Sequence, residues 1–365
     1  MLFRSTGLDK VVYHGKLGSQ GQRTERVRAI AHAIVNQLRM ATVPFTVQAK
    51  DEFDVLDSKV QQAATLAKTD LLTDMVGEFP ELQGVMGGYY ARHEGLRDGV
   101  AIAIEDHYKP RFAGDALPRN HTGTVLALAD KLETLVGLFG IGQLPTGDKD
   151  PFALRRHALG VLRIVIENKL PLQLRSLVAA AFAAFPARKV NDAGAELQSF
   201  MLERLRGYLR EAGYSAQEVE AVLGLLPERI SEVPQRLAAV RAFAALPEAQ
   251  SLAAANKRIA NILRQAEAKG ERHDAADPAL MQEAEEKALH EAIRAASAVA
   301  RPHLAAGDYA AYLKAFAVLR QPVDAFFDAV MVMAEDAAVR RNRLALLADL
   351  HREMNQVAVL SRLAL

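Results

Sequence analysis

Four side chains that could bind a metal ion fall on successive predicted helical segments: His32, Asp70, His107 and Asp130. Imidazole and carboxylate groups together suit a hard or borderline divalent cation, and a helical bundle could bring the four side chains together. The alternative for each residue is structural. A histidine at a helix edge is more often hydrogen-bonded at the surface, and a carboxylate beside an apolar stripe more often accepts a hydrogen bond or an ion pair.

The order of these residues resembles the histidine–aspartate (HD) phosphohydrolase superfamily, whose pattern is a histidine, an adjacent His-Asp pair and a late aspartate. In that superfamily two metal ions activate water for attack on a phosphoester. Here Thr69 precedes Asp70, at the position where the second metal-binding histidine belongs. Because a neutral hydroxyl is a poor replacement for imidazole, the resemblance implies a degenerate HD-like domain without a bound metal pair.

The periodicity of the apolar residues predicts that helices carry these side chains and that the fold is all-α. The stretch "ERVRAIAHAIVNQLR" has an apolar stripe at i, i+3, i+4 and i+7. The stretch "HTGTVLALADKLETLVGLFG" has another such stripe, with Asp130 beside it. A further helix is predicted from about Asp57 to Asp74, with Asp70 on the flank of its apolar face.

Proline and glycine positions and the resemblance divide the chain into three predicted regions. Residues 1–150 form an HD-like helical domain, residues 151–247 a helical connector, and residues 248–365 a C-terminal helical bundle. Their net charges are −2, +4 and −1, so no region has the strong basic excess typical of a nucleic-acid binder. RNA binding would therefore need positive charge concentrated on a few helix faces.

The composition favours a soluble cytosolic protein. Half of the 365 residues are hydrophobic, and the absence of cysteine excludes disulfides and Cys-ligated zinc sites. The sequence has no apolar run of about 18 residues, the length that a membrane span needs. Its first residues also lack the apolar core of a secretory signal. We therefore expect a cytoplasmic location and no membrane contact.

The loop "GIGQLPTGDKD" differs from a phosphate-binding P-loop. Asp148 separates Gly147 from Lys149, and Asp150 takes the place of the serine or threonine. The acidic flank would repel phosphate. We expect a structural turn in which Asp150 is the N-cap and Pro151 is the first residue of the next helix.

The C-terminal bundle carries two groups of polar and basic residues that could contact RNA phosphates. Tyr312 or Phe316 could stack on a base, whereas the Met and Phe residues of "FFDAVMVM" are predicted to lie in the core. Taken alone, such basic groups are more often solvated helix faces. The candidate RNA-binding residues are Lys257, Arg258, Asn261, Arg264, Arg340, Arg341 and Arg343.

Five longer segments resemble the β subunit of bacterial heterotetrameric glycyl-tRNA synthetases. They are "YHGKLGSQGQRTERV", "AKTDLLTDMVGEFPELQGVMGGYYA", "ALADKLETLVGLFGIGQLPTGDKDPFALRRHALGVLRIVIE", "NKRIANIL" and "FFDAVMVMAEDAAVRRNRLALL". They occur in the family's order and span nearly the whole chain. The last two also resemble the DALR-like anticodon-binding domain shared with arginyl-tRNA synthetase. Family β subunits are longer, so the resemblance implies that this chain corresponds to a C-terminal portion.

The resemblance implies a part in the ATP-dependent attachment of glycine to its tRNA. In the family the α subunit carries the adenylation site and uses ATP and Mg, while the β subunit supplies tRNA recognition and assembly. The implied partners are therefore the α subunit and glycine tRNA, with no catalytic residue and no cofactor expected on this chain.

Two other function classes remain open from the residues themselves. A metal-dependent phosphohydrolase is favoured if His32, Asp70, His107 and Asp130 converge on a bound metal. A non-enzymatic helical scaffold is favoured if the basic clusters point away from each other and the chain does not bind RNA.

Overall fold

The computed structural model describes residues 2–42, 46–271 and 274–364, and over these residues the chain is nearly all helical. This confirms the predicted all-α class. The described residues also include a short antiparallel hairpin, formed by β1 (Val12–His14) and β2 (Gly18–Ser19), which the sequence pattern did not indicate.

The chain consists of two compact units. The first contains Met1–Tyr208 with Glu228–Ser231, and the second contains Leu209–Pro227 with Glu232–Leu365. The predicted connector, residues 151–247, is thus divided between the units. The domain limits at residues 150 and 247 stay a prediction.

The first unit is built from eight complete helices among its described residues and the greater part of a ninth. Short 3₁₀ turns at Leu2–Lys10, Thr69–Leu72 and Pro80–Leu82 connect or precede them. The helices are α1 (Gln20–Ala41), α2 (Val47–Leu66), α3 (Asp74–Glu78), α4 (Val85–His93), α5 (Asp98–Asp106), α6 (His121–Gly140), α7 (Leu154–Glu167), α8 (Leu174–Ala183) and α9 (Gly194–Glu211), whose last three residues belong to the second unit.

The helix α1 follows its predicted apolar stripe. Ser19 and Gln22 form a capping box at its start, in which each side chain accepts a hydrogen bond from the other residue's backbone N–H. Residues of the stripe, including Val27, Ile30 and Ile34, are buried. This face packs on α2 and α6. His32 lies outside the stripe and is exposed.

The helix α6 lies at the centre of the first unit. The sequence predicts one buried face, but nearly every residue of α6 is buried, because α1, α2, α5, α7 and α8 all pack around it. Asp130, Lys131 and Glu133 are therefore inside the protein. Charged groups in such a position need partners, since burial of an unpaired charge is strongly unfavourable.

Two predicted helix limits are wrong. The helix predicted from about Asp57 to Asp74 begins ten residues earlier and ends at Leu66, where the Thr69 hydroxyl donates to the Leu66 carbonyl at 2.7 Å. This hydrogen bond satisfies a carbonyl of the last turn and competes with continuation of the helix. Asp70 consequently lies in a 3₁₀ turn and not on α2.

The helix after the "GIGQLPTGDKD" loop starts at Leu154 and not at Pro151. Ala153 precedes it in a left-handed conformation. The Asp150 carboxylate still accepts hydrogen bonds from the backbone N–H groups of Leu154 and Arg155, at 2.8 and 3.0 Å. Asp150 therefore binds the first N–H groups of the helix as predicted, but it lies four residues before the first helical residue and not directly before it.

The second unit is a helical bundle in which α12 and α13 pack on α15 and α16. Tyr312, Phe316 and Phe326 fill its core. The prediction that Tyr312 or Phe316 could stack on a base is wrong, because both side chains are fully buried. The complete helices are α10 (Ala216–Leu223), α11 (Val233–Ala244), α12 (Ala249–Ala268), α13 (Ala284–Ala305), α14 (Tyr309–Ala315), α15 (Arg320–Ala329) and α16 (Ala337–Met354), with 3₁₀ turns at Pro278–Leu280, Ala317–Leu319 and Leu360–Leu363.

Candidate nucleic-acid interface and the predicted metal-binding positions

His32 and Thr69 do not offer metal ligands of the predicted kind. The His32 side chain is 56% exposed, and its Nδ1–H donates to Asp57 at 2.8 Å while Asn36 donates to its other ring nitrogen. Thr69 is buried, and its hydroxyl is used by the Leu66 carbonyl. His32 therefore takes part in hydrogen bonds at the surface of α1, and Thr69 forms a hydrogen bond at the end of α2.

Asp70 and His107 are both buried, and each is held by the backbone. Oδ2 of Asp70 accepts the N–H groups of Gly84 at 2.6 Å and of Gly87 at 3.0 Å. Burial raises the pKa of the Asp70 carboxyl. Nδ1–H of His107 donates to the Ile104 carbonyl at 2.6 Å, and burial lowers the pKa of this imidazole, which keeps it neutral.

Asp130 is neutralised inside the first unit by two cations. Its Oδ1 lies 3.1 Å from Nη2 of Arg23 and 3.4 Å from Nζ of Lys68. The same ammonium group lies 3.9 Å from the centre of the Tyr108 ring, which is a cation–π contact. Arg23 also reaches Glu133 at 2.7 Å, so the ion pairs form a buried network and not an isolated contact.

The pKa shifts in this network follow from burial and from the paired charges. Burial lowers the pKa of Lys68 to about 8 even though Asp130 opposes the shift. Burial also disfavours ionisation of Asp130, but the charges of Arg23 and Lys68 outweigh it and lower the pKa of the carboxyl. Asp130 is therefore ionised at neutral pH and its charge is balanced by side chains of this chain.

These residues do not fit a two-metal centre. The carboxylate of Asp130 is paired with Arg23 and Lys68, and the imidazole of His32 belongs to a surface pair with Asp57. Over residues 2–42, 46–271 and 274–364, no three His, Asp or Glu side chains are grouped as metal ligands. The arrangement can hold helices together through buried charge pairs.

In the second unit, the predicted row on α12 is exposed. Lys257, Arg258, Asn261 and Arg264 all face solvent. Arg264 donates to the side-chain oxygen of Asn261 at 2.9 Å, and the Arg258 guanidinium lies 4.1 Å from the centre of the Phe327 ring. Lys257, Asn261 and Arg264 recur at i, i+4 and i+7, so one helix face presents two cations and an amide.

The three arginines of α16 have different environments. Arg341 is exposed. Arg340 is half-buried and donates to Glu271 at 2.8 Å, and Arg343 is buried and donates to Glu286 at 2.6 and 2.9 Å. Burial of Arg343 contradicts its predicted direct contact with RNA, because its guanidinium is bound within the protein. The guanidinium of Arg340 also donates to groups of this chain, through Nε and Nη1.

Comparison with known proteins identifies the family of this chain. A family model described as "Glycyl-tRNA synthetase beta subunit" matches residues 3–224, which is more than half of the chain. The chain belongs to the glycyl-tRNA synthetase beta subunit family. This confirms the resemblance seen in the sequence. A second model, described as "DALR anticodon binding domain", matches residues 252–360, which run from the first turn of α12 to beyond α16.

Curated members of the family are similar to this chain along its whole length. The glycine–tRNA ligase beta subunit of Leptothrix cholodnii is 70% identical over 361 residues, which are 99% of this chain and 50% of that protein. The glycine–tRNA ligase beta subunits of Thiobacillus denitrificans and Acidovorax sp. are 60% and 58% identical, with 49% and 51% of each covered. The chain therefore spans about half the length of the curated relatives it matches.

Sequence reasoning missed the charged network of this family member's first unit. Arg23 and Arg26 lie three residues apart on α1, and Asp130 and Glu133 lie three residues apart on α6. Arg26 donates to Glu133 at 2.8 Å, next to the contacts of Arg23. Matched basic and acidic pairs at i, i+3 beside the apolar stripes were the signal that could have predicted this pairing.

No helix among the described residues is both long and apolar enough to cross a lipid bilayer.

Proposed function

We propose that this chain is a tRNA-binding and assembly portion of glycine–tRNA ligase. One observation carries the proposal: the anticodon-binding family model covers residues 252–360, and the first helix of that stretch, α12, has an exposed row formed by Lys257, Asn261 and Arg264. The relatives' names, glycine–tRNA ligase beta subunit, supply the reaction to which this binding would contribute.

The charge of the C-terminal region determines how it would bind RNA. Residues 248–365 have a net charge of −1, so bulk attraction cannot hold the phosphate backbone. A few exposed cations, among them Lys257, Arg264 and Arg341, would carry most of the electrostatic affinity by neutralising single phosphates. Asn261 sits between two of these cations on α12 and can hydrogen-bond to a sugar or a base.

The partner assignment follows from the family. The α subunit would bind ATP and Mg and form the adenylate, and this chain would bring glycine tRNA to it, in the cytoplasm. On this proposal the chain itself contributes no catalytic residue and binds no cofactor. The buried pairing of Asp130 supports the absence of phosphohydrolase chemistry, because it removes a carboxylate from possible metal coordination.

The experiment is a binding titration of the full chain with glycine tRNA and with a tRNA whose anticodon is exchanged. Lys257→Ala, Arg264→Ala and Arg341→Ala are then titrated over a range of salt concentrations. Each variant should bind more weakly, and each should make the salt dependence shallower by roughly one ion equivalent or less. Lys287→Ala removes an exposed cation of α13 in the same unit and should leave affinity and salt slope unchanged.

Unchanged affinity and salt slope in all three variants, with the helical content intact, would remove these residues from the interface. A parent chain that does not bind glycine tRNA, or that binds both tRNAs equally, would contradict anticodon recognition by this chain.

A further inference from the structure

The segment between α15 and α16, residues 330–336, alternates between buried and exposed side chains. We call it the methionine segment. Val330 and Val332 are buried, whereas Met331 is 73% exposed and Met333 is 43% exposed. The sequence-based prediction that these methionines belong to the core is therefore wrong. The two valines fix the segment to the bundle, and the two methionines are presented to solvent.

Arg343 holds the first part of the methionine segment. Its Nη1 donates to the carbonyl oxygen of Met331 at 2.8 Å, while its Nε and Nη2 donate to Glu286 of α13. Arg343 and Glu286 are both buried. Because a planar guanidinium directs its donors in a fixed geometry, this contact ties the backbone at Met331 to a rigid helix.

Arg340 and Asp336 hold the second part. Nη1 of Arg340 donates to the carbonyl oxygens of Ala334 and Glu335, at 2.8 and 3.1 Å. The Asp336 carboxylate accepts the N–H groups of Ala338 and Val339 and so caps α16. Two arginines thus bind three backbone carbonyls of the methionine segment. Met331 and Met333 are therefore exposed on a backbone that is held in place by hydrogen bonds.

We propose that the methionine segment contacts an unpaired nucleobase of the anticodon loop, with Met331 as the main contact and Arg343 as a positioning residue that acts through it. This inference rests on the proposed function, because the segment lies inside the stretch matched by the anticodon-binding family model. A thioether packs favourably on an aromatic ring, and every base offers such a face.

The charges around the segment favour a base over a phosphate at this point. Residues 330–336 contain no lysine or arginine, and the exposed Glu335 would repel a phosphate. Cations lie near residues that precede the segment and among those that follow it. Arg258 covers the Phe327 ring just before the segment, and Arg341 is exposed just after it. On this proposal such cations would bind phosphates of the loop while the base lies on the methionines.

The test uses the full chain and an RNA hairpin that reproduces the anticodon arm of glycine tRNA. Met331→Ala should weaken binding about two- to tenfold, the range that a thioether–aromatic contact contributes. The salt slope should stay that of the parent, because no charge is removed. Val318→Ala, at another exposed apolar position of the same unit, should bind like the parent.

A double-variant comparison tests the role of Arg343. Arg343→Lys keeps the positive charge beside Glu286 but loses the forked geometry that reaches the Met331 carbonyl. It should weaken hairpin binding as much as Met331→Ala does, and it should cause no further loss when Met331 is already alanine. An equal loss in both backgrounds would indicate a structural role only and would overturn the positioning role.

Other outcomes also decide the proposal. Parent-like RNA binding by Met331→Ala overturns the base contact and leaves a protein partner as the alternative for this surface. An equal loss in Val318→Ala overturns it as well. If the parent chain does not bind the hairpin, the proposed function and this inference both fail. If Arg343→Lys does not fold, the comparison of Met331→Ala with Val318→Ala still decides the base contact.

Discussion

Nζ of Lys68 lies 3.4 Å from Oδ1 of Asp130, and both side chains are buried in the first unit. Arg23 reaches the same oxygen at 3.1 Å. Asp130, which the sequence analysis considered as a metal ligand, is thus a carboxylate whose charge is balanced by cations of the same chain.

Replacing Asp130 by asparagine should destabilise the protein strongly. The substitution leaves Arg23 and Lys68 buried without their shared anion, and breaking a buried ion pair costs about 3–5 kcal/mol. Urea unfolding followed by circular dichroism measures the change in the free energy of unfolding. Asp57→Asn, which removes the surface partner of His32, is the control and should cost about 1 kcal/mol or less. Equal effects of the two substitutions would contradict the special position of Asp130.

Removal of metal ions should leave the first unit unchanged. Since Arg23 and Lys68 already balance Asp130, we expect the melting temperature to be the same before and after treatment with a chelator. Elemental analysis of the purified chain should show no tightly bound pair of divalent ions. A melting temperature that falls on chelation and recovers with Mn²⁺ would reverse this expectation, as would phosphodiesterase activity that disappears in Asp70→Ala.

The substitution Gly87→Ala should loosen the anchor of Asp70. A Cβ atom at this position would lie 2.7 Å from Cγ2 of Ile104 and 3.1 Å from Oδ2 of Asp70, which accepts the Gly87 N–H. Overpacking of this kind costs about 1–3 kcal/mol. Gly77→Ala, on helix α3, is a matched control, because a Cβ atom at this position would have no neighbour within 4 Å. This substitution should be neutral or should stabilise the protein by up to about 1 kcal/mol. Thermal unfolding of both variants makes the comparison, and a Gly87→Ala protein as stable as the parent would contradict it.

The pair formed by Glu218 and Arg241 should make the second unit sensitive to acid. Hydrogen bonds from Arg241, at 2.7 and 2.9 Å, lower the pKa of Glu218 from 4.5 to about 2. Because the folded-state pKa is below the unfolded one, the stabilisation is complete above pH 4.5 and is lost as the pH falls toward 2. Because the pair lies at the surface, screening by solvent keeps this stabilisation small.

Glu218→Gln tests this pH dependence. The variant should be less stable than the parent at pH 7, and the difference between the two proteins should shrink between pH 4.5 and pH 2 in urea unfolding experiments. Glu291→Gln, at an exposed position of α13 in the same unit, gives a control for the removal of one negative charge. A difference that is constant with pH would show that Glu218 does not contribute through its charge.

The helices and the family could be predicted from the sequence because both depend on local or contiguous patterns. The apolar stripe of α1 predicts a helix and its buried face, since residues at i, i+3, i+4 and i+7 lie on one side. The long motifs in order along the chain identified the family that the comparisons confirm. Helix limits were less accurate, as at Leu66, where the hydroxyl of Thr69 ends the helix that the pattern alone would continue.

What the tertiary structure decided is the environment of each charged side chain. The sequence shows Arg340, Arg341 and Arg343 as one basic cluster, but a helix turns by about 100° per residue, so neighbours along the chain face different surroundings. Packing of α13 against α16 buries Arg343 on Glu286 and leaves Arg341 in solvent. Likewise, Lys68 and Asp130 meet only because α6 is enclosed on all sides. The free energy of a charge depends on its burial and its partners, and these come from residues far away in the sequence.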